Sequence, residues 1–451
     1  MIKPGKIIIV GGNAAGPAAA AKAKRVNPDA EVILFEAGNY ISTGTCELPY
    51  VLSGEINSVN NIIFFTPEEF YREKGVKVYI NHFVEDISKN DRIIKVRNLV
   101  NNEIREFNYD KLVLATGSKP KKLKDFPDNF KNVFYLKTVT DLNKINEQVK
   151  TKEIKNVVII GSGYIGLESA EAFKKLKINV TVLEKENLPM PAADIEIRSL
   201  IRELLNQNDI SFYGNAANMK VISDDHEIRS INLDSRLLEF DLIILAVGFL
   251  PNNELGKKLG LETGKSGALK VDYRLKTSCQ HIFAAGDNVE ITNAVTGRPD
   301  YMPLATIARD FGHVAGENAA GGNKYADSVV KNLAVKIFDK YFVNVGLSSL
   351  EAKKANYLFD SVDAVVPNLI EVMPGSEKVF GKIIFEKRTK RILGASFFGG
   401  KETAGFGDII SLMIRTKQSA DALASVNYNY TPPLSPFVNL LSVLGRKILS
   451  S

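Results

Sequence analysis

The chain has 451 residues, 45% hydrophobic and 24% charged, a balance that fills real cores and sets disordered and fibrous classes aside. Two cysteines make no disulfide scaffold and fit a reducing cytoplasm, and no apolar run reaches the roughly 18–20 residues of a membrane span. The formal charge of +6 is spread over isolated lysines and arginines, so no nucleic-acid or membrane face is expected, and Met1–Lys6 lacks signal-peptide architecture.

Lys6–Val10 reads as a buried parallel strand from its β-branched run. Gly11-Gly12-Asn13-Ala14-Ala15-Gly16 follows, then an Ala-rich helix to about Val26, then a strand over Glu31–Phe35 ending at Glu36. Residues 156–184 repeat the arrangement. Val157–Ile160 leads into Gly161-Ser162-Gly163-Tyr164-Ile165-Gly166, a helix, and Val180–Leu183 ending at Glu184. Each unit is followed by an apolar strand running into a glycine, at Lys111–Gly117 and Leu242–Gly248. Ile282–Ala285 then reaches Gly286-Asp287, and a helical stretch covers about Pro303 to Ala320. Past residue 330 the pattern turns to β-rich alternation plus helices with no Gly-rich turn, which predicts a separate α+β domain over 330–451.

A dinucleotide turn needs glycine for its tight bend and for close backbone approach to the pyrophosphate, which then meets free N–H groups at a helix N-terminus. The second turn has all three glycines, Gly161, Gly163 and Gly166, with the acid Glu184 placed to take ribose hydroxyls. That acid favours NADH over a 2′-phosphate, while Lys185 beside it leaves NADPH open. The first turn has Gly11 and Gly16 with Asn13 in the middle place. Asparagine tolerates positive φ, so Asn13 is expected to hold the bend, and Glu36 fills the acidic role. Glu168, one turn into the second helix, reads equally as a group facing the cofactors or as a surface acid.

Between the units lies Ser42-Thr43-Gly44-Thr45-Cys46-Glu47-Leu48-Pro49-Tyr50, with a lone cysteine among small residues. Two dinucleotide sites in one chain point to electrons passing between a nicotinamide and a flavin, and a thiol here is a candidate acceptor. Glu47 beside Cys46 should raise the thiol's pKa, which a flavin or helix dipole would have to offset. Cys279 precedes a core strand and reads as structural.

In this order the motifs resemble the pyridine nucleotide–disulfide oxidoreductases over essentially the whole chain. The series runs first turn, redox cysteine, Ala115-Thr116-Gly117, second turn, Ala246-Val247-Gly248, Ala285-Gly286-Asp287 and a C-terminal domain. The resemblance implies an α/β fold with two Rossmann-like domains and a C-terminal α+β dimerisation domain. FAD would bind a discontinuous domain of residues 1–120 and 250–325, NAD(P)H residues 121–249, and a homodimer would form through 330–451. The cofactor-binding residues implied are Gly11, Asn13, Ala14, Gly16, Glu36, Val84, Thr116, Gly117, Asp287, Ala305, Gly161, Gly163, Tyr164, Ile165, Gly166, Glu168, Glu184 and Gly248.

The cysteine pattern selects a branch. No second cysteine lies near Cys46 and no C-terminal histidine follows His313, so dithiol chemistry is excluded. The single-cysteine branch holds coenzyme A (CoA) disulfide reductases, persulfide and polysulfide reductases, and NADH oxidases and peroxidases. Ser42, Cys46, Leu48, Pro49 and Tyr50 resemble the first group, and Ala14 stands where peroxide-handling members carry histidine. Tyr430-Thr431-Pro432-Pro433 resembles a Tyr-x-Pro-Pro that the partner subunit lends, its tyrosine protonating the leaving thiolate. Lys22, Arg25, Ser42, Thr45, Lys74 and Arg309 fall where the family touches CoA. The implied activity is reduction of a small CoA-type disulfide, persulfide or polysulfide by NAD(P)H. NADH oxidation by oxygen, or a flavin subunit feeding a redox protein partner, are the alternatives. Two departures put the substrate in question: Val372-Met373 replaces a tyrosine before Pro374-Gly375, and apolar Leu434-Ser435-Pro436-Phe437 follows Pro433 where a lysine segment is expected.

Overall fold

Two five-stranded parallel sheets of matching plan carry the Gly-rich turns in the computed structural model, which describes residues 5–127, 130–224, 226–234 and 236–450. In the first, Lys6–Val10 is central, with Glu31–Phe35 and Lys77–Tyr79 to one side and Lys111–Leu114 and Ile282–Ala284 to the other. In the second, Asn156–Ile160 is central, with Asn179–Leu183 and Ser211–Tyr213 to one side and Leu242–Leu245 and Val133–Phe134 to the other. Lys6 pairs with Glu31 as Asn156 pairs with Asn179, so the two turns leave their sheets in the same way. Ile7–Val10 and Val157–Ile160 are buried on both faces, which is why both runs are continuously apolar.

Each unit also holds an antiparallel meander that its sequence did not announce. The first is His82–Ser88, Ile93–Asn98 and Ile104–Asn108, and the second is Lys220–Ser223, Ile228–Leu233 and Arg236–Glu239. A short antiparallel pair, Ser118–Pro120 with Phe249–Pro251, joins the units. The helix Ala305–Ala319 crosses Ala15–Val26 at close range. A Cβ added at Gly312 or Gly316 would lie 2.3 or 2.1 Å from the carbonyl oxygens of Ala15 or Ala19.

The C-terminal sheet is antiparallel, in the order Asn332–Ile337, Lys340–Gly346, Ile392–Gly399, Lys378–Glu386, Phe359–Pro367. Val343, Val345 and Phe397 share a core with the helices Glu402–Arg415 and Leu440–Leu449. Phe342, Phe398 and Phe380 form a cross-strand row on the alternate positions and join the core of the second unit. Leu48 and Leu52 belong to that same core, so the segment after Cys46 is anchored where the second unit meets the C-terminal sheet.

Candidate active site

Both Gly-rich turns are closed by backbone crowding that only glycine permits. A Cβ at Gly16 would sit 1.8 Å from the Gly11 carbonyl oxygen, and one at Gly166 2.0 Å from that of Gly161. The helices that follow, Ala15–Val26 and Tyr164–Lys175, have no side-chain cap and no acidic residue in the first turn. In the second helix the leading N–H groups and the positive dipole end are thus free to meet a pyrophosphate, whereas in the first the Gly16 N–H goes to the Asn13 carbonyl at 3.1 Å and Pro17 has no N–H, which leaves Ala15 N–H and the dipole end. Gly163 has no protein atom within 4 Å of its Cβ direction, a gap of the kind a dinucleotide backbone contact requires.

The strand-end acids take equivalent places. Glu36 accepts the Gly12 N–H at 2.5 Å and the Gly38 N–H at 2.6 Å, and burial pushes its carboxyl above the ordinary value. Glu184 accepts the Ser162 N–H at 2.9 Å and its hydroxyl at 2.7 Å. The expectation for Asn13 needs correction: positive φ falls on Ala14, at 31°, whereas the Asn13 side chain accepts the Thr43 N–H at 3.0 Å. With its side chain spent on that bond, Asn13 ties the turn to the cysteine loop instead of making the bend. Ser42 N–H adds a second tie, to the Gly12 carbonyl at 2.8 Å.

Cys46 therefore hangs between two anchors. Ile41–Thr43 is bonded to the first turn, and Leu48–Leu52 is packed into the second unit. The thiol itself lies in the single 3₁₀ turn Thr45–Glu47 and is open to solvent. Although accessible, it is recessed. The surrounding protein pushes its pKa up first, and the carboxylates of Glu47, Glu168 and Asp287 push it further, with Lys137 opposing. Asp287 reaches this region because Gly286 sits against Ala15 at the start of the first helix. Its carboxylate accepts the Ser118 hydroxyl at 2.8 Å, and Lys137 Nζ donates to the same Ser118 oxygen at 2.9 Å. Lys137 also lies 4.2 Å from the Phe249 ring centroid.

Thr116 and Gly117 follow Lys111–Leu114. The Thr116 hydroxyl bonds the Asn252 carbonyl and receives the Asn288 amide at 3.1 Å. Val84 is buried in His82–Ser88, and Ala305 opens its helix in an exposed position. On the second unit Tyr164 stacks on Phe342 at 6.4 Å, Ile165 is half-buried, and Gly248, with φ 97°, leads into the strand Phe249–Pro251. Glu168 accepts the Tyr50 hydroxyl at 3.3 Å, so it faces the cysteine loop and is no surface acid.

Lys22, Arg25 and Arg309 converge on the two crossing helices around His313, whose pKa is pushed down by burial and then by Arg309 and Arg25. Lys22 is paired with Glu317 at 2.9 Å and Arg309 with Asp310 at 3.0 Å. Lys74 stands apart at the end of Pro67–Lys74, 5.3 Å over the Phe65 ring. Tyr430 is exposed and meets Phe437 edge-on at 5.3 Å, a contact within the C-terminal segment and not with the cysteine loop. Lys137, Ser118, Asn288 and Lys336 are contributors that the sequence reading did not name. Ser118 and Asn288 directly follow motif residues and were within reach of it, whereas Lys137 lies in no motif.

Two dinucleotide turns flanking an open thiol define a flavin-dependent NAD(P)H oxidoreductase. The chain belongs to the pyridine nucleotide-disulphide oxidoreductase family, whose model matches residues 5–310. It is 30% identical over 442 residues to an NAD(P)H coenzyme A polysulfide/persulfide reductase of Pyrococcus horikoshii, covering 98% of each chain. It is likewise 30% identical over 445 residues to an NADH oxidase of Methanocaldococcus jannaschii, covering 98% of each. Among solved structures, an NAD-dependent persulfide reductase from A. fulgidus superposes with TM-score 0.94 at 31% identity, over 99% of this chain and 83% of that one. No helix among the described residues is long and apolar enough to cross a membrane.

Proposed function

We propose that this enzyme uses NAD(P)H to reduce a small CoA-type disulfide, persulfide or polysulfide at Cys46, in the cytoplasm. The observation that carries the reading is the place of Cys46, an open thiol on a loop bonded to the first turn and anchored to the second unit. Gly11, Gly16, Glu36, Thr116, Gly117 and Asp287 would hold FAD, which when bound would supply two-electron transfer between nicotinamide and sulfur. Gly161, Gly163, Gly166 and Glu184 hold the nicotinamide cofactor. Cys46 attacks the substrate disulfide, forms a mixed disulfide and releases one thiol, so a single cysteine borrows its second sulfur from the substrate. Lys22, Arg25 and Arg309 suit anionic phosphates, although Glu317 and Asp310 must yield two of those cations.

The working unit is a homodimer through residues 330–451, beside an FAD domain of 1–120 and 250–325 and an NAD(P)H domain of 121–249. Exposed Leu412, Val372, Leu434 and Phe437 give the C-terminal part an apolar surface fit for a second copy, and Tyr430 on it would protonate the thiolate of the other subunit. Tyr430 is the remaining candidate for that role, since Val372 and Met373 carry no proton donor. NADH consumption measured anaerobically with CoA disulfide, against oxygen uptake without it, tests the reading. Fast disulfide-dependent turnover supports it. Oxygen uptake alone would make the protein an NADH oxidase, and turnover only with an oxidised redox-protein acceptor would make it an electron-transfer subunit.

A further inference from the structure

Beside the cysteine loop lies a knot of four ionised groups that is electrically complete and a fifth that is left over. Glu171 is paired with Lys175 at 2.7 Å and with Lys336 at 2.9 Å, and it accepts the Phe338 N–H at 2.6 Å. Glu55 shares both lysines. Two carboxylates and two ammonium groups thus balance where the second unit, the cysteine segment and the strand Asn332–Ile337 meet. Glu168, one turn before Glu171 on the same helix, makes no ion pair among the described residues. Its recorded partner is the hydroxyl of Tyr50, which lies one helical turn beyond Cys46. Lys336 reaches that ring only at 5.9 Å.

We propose that Glu168 is the proton acceptor linked to Cys46: forming the Cys46 thiolate favours uptake of a proton from solvent by the Glu168 carboxylate, so the reactive thiolate and an ionised Glu168 disfavour one another. Lys137 at Cys46 also faces Glu47 and Asp287, and Lys336 is paired with Glu171 and Glu55, so neither is free to neutralise a thiolate and an ionised Glu168 together, and one proton relieves the conflict. The inference rests on the reading of Cys46 as the reactive thiol. Burial, with help from Glu171, holds the Glu168 carboxyl up at about 7 against the opposing pull of Tyr50 and Lys336, so it titrates in the working range. The charges facing the pair are Glu47, Asp287 and Lys137 around Cys46 and Tyr50, Glu171, Glu55, Lys175 and Lys336 around Glu168.

The consequence is a bend in thiol reactivity. The thiolate fraction of an isolated cysteine falls tenfold per pH unit below its pKa. Here Glu168 becomes neutral near pH 7 and stops opposing the thiolate, so the fall flattens across that range.

The test is the rate of Cys46 alkylation by iodoacetamide from pH 5.5 to 9, on flavin-loaded protein reduced with dithiothreitol and desalted, with Cys279→Ser in every variant. Glu168→Gln should react about threefold or more faster than its parent at pH 8, converge with it near pH 5.5 and show no bend. Tyr50→Phe removes the hydrogen bond that stabilises the carboxylate and should move the bend to higher pH, which decides the matter if the Gln variant loses its flavin. A ratio of Gln variant to parent that stays constant with pH, or a bend unmoved by Tyr50→Phe, overturns the proposal alone. A Cys46 that resists alkylation at every pH overturns the reactive-thiol reading and the proposal with it.

Discussion

A methyl group added at Gly163 and one added at Gly166, three residues further on, should harm the enzyme in different ways. At Gly166 the new carbon would lie 2.0 Å from the Gly161 carbonyl oxygen and must retreat by about 1.4 Å to reach ordinary contact near 3.4 Å. That oxygen belongs to backbone pinned between two strands, so Gly166→Ala should cost about 1–3 kcal/mol of stability. At Gly163 the backbone is extended, with φ −75° and ψ −169°, and the Cβ direction is empty to 4 Å. Gly163→Ala should leave stability within about 0.5 kcal/mol of wild type. Its methyl nevertheless occupies the space through which a pyrophosphate approaches the turn, so NADH affinity should fall about tenfold, or about 1.4 kcal/mol. Urea denaturation followed by circular dichroism gives the first quantity and calorimetric NADH titration the second. Gly163→Ala binding NADH like wild type, or destabilised as much as Gly166→Ala, would refute the assignment of this turn to the nicotinamide cofactor.

Three further outcomes follow from the geometry. Lys137→Met removes the positive charge that opposes Glu47, Glu168 and Asp287 at Cys46, so the thiol's pKa rises further and alkylation at pH 8 should slow about threefold or more; an unchanged rate would show that Lys137 does not act on the sulfur. Lys382 is buried against Asp194 at 3.3 Å and Glu196 at 3.0 Å, and Asp194 in turn accepts the Ser349 N–H at 2.9 Å, pinning the second unit to the C-terminal part. Lys382→Met should therefore lower unfolding free energy by about 3–5 kcal/mol in denaturant titration, whereas a loss under about 1 kcal/mol would mean that the pin carries little. On the proposed homodimer, mixing Cys46→Ser with Tyr430→Phe protein under exchange conditions should restore activity that each variant lacks alone, because a mixed dimer would hold one site with both groups; no recovery would overturn the proposal that Tyr430 is lent across a dimer.

The parts of the molecule legible in the sequence are those whose physics is local. Ile7–Val10 and Val157–Ile160 declare buried parallel strands because every position is apolar, and the glycine spacings declare turns because carbonyl crowding excludes any side chain. The meanders at 82–108 and 220–239 were not legible, since strands such as Ile104–Asn108 lie mostly in solvent and mix charged with apolar residues. Asn13 shows the limit of a propensity argument. Its amide found a better use on Thr43, and the strained φ passed to Ala14, a residue with no preference for it. Lys137 is silent because what defines it, Ser118, Phe249 and Asp287, arrives from segments up to 150 residues away. Glu168 illustrates the remaining case. On sequence it is one acid among many on a helix, and its character comes from the lysines that go to Glu171 and Glu55 instead.

The central claim is that Cys46 carries the chemistry, and the direct test is the turnover of Cys46→Ser with NADH and CoA disulfide under anaerobic conditions, on protein shown by absorbance to keep its flavin. Disulfide-dependent NADH oxidation should fall to background while NADH still bleaches the flavin, because reduction of the cofactor does not need the thiol and transfer to sulfur does. Wild-type turnover of CoA disulfide by the serine variant would contradict the account.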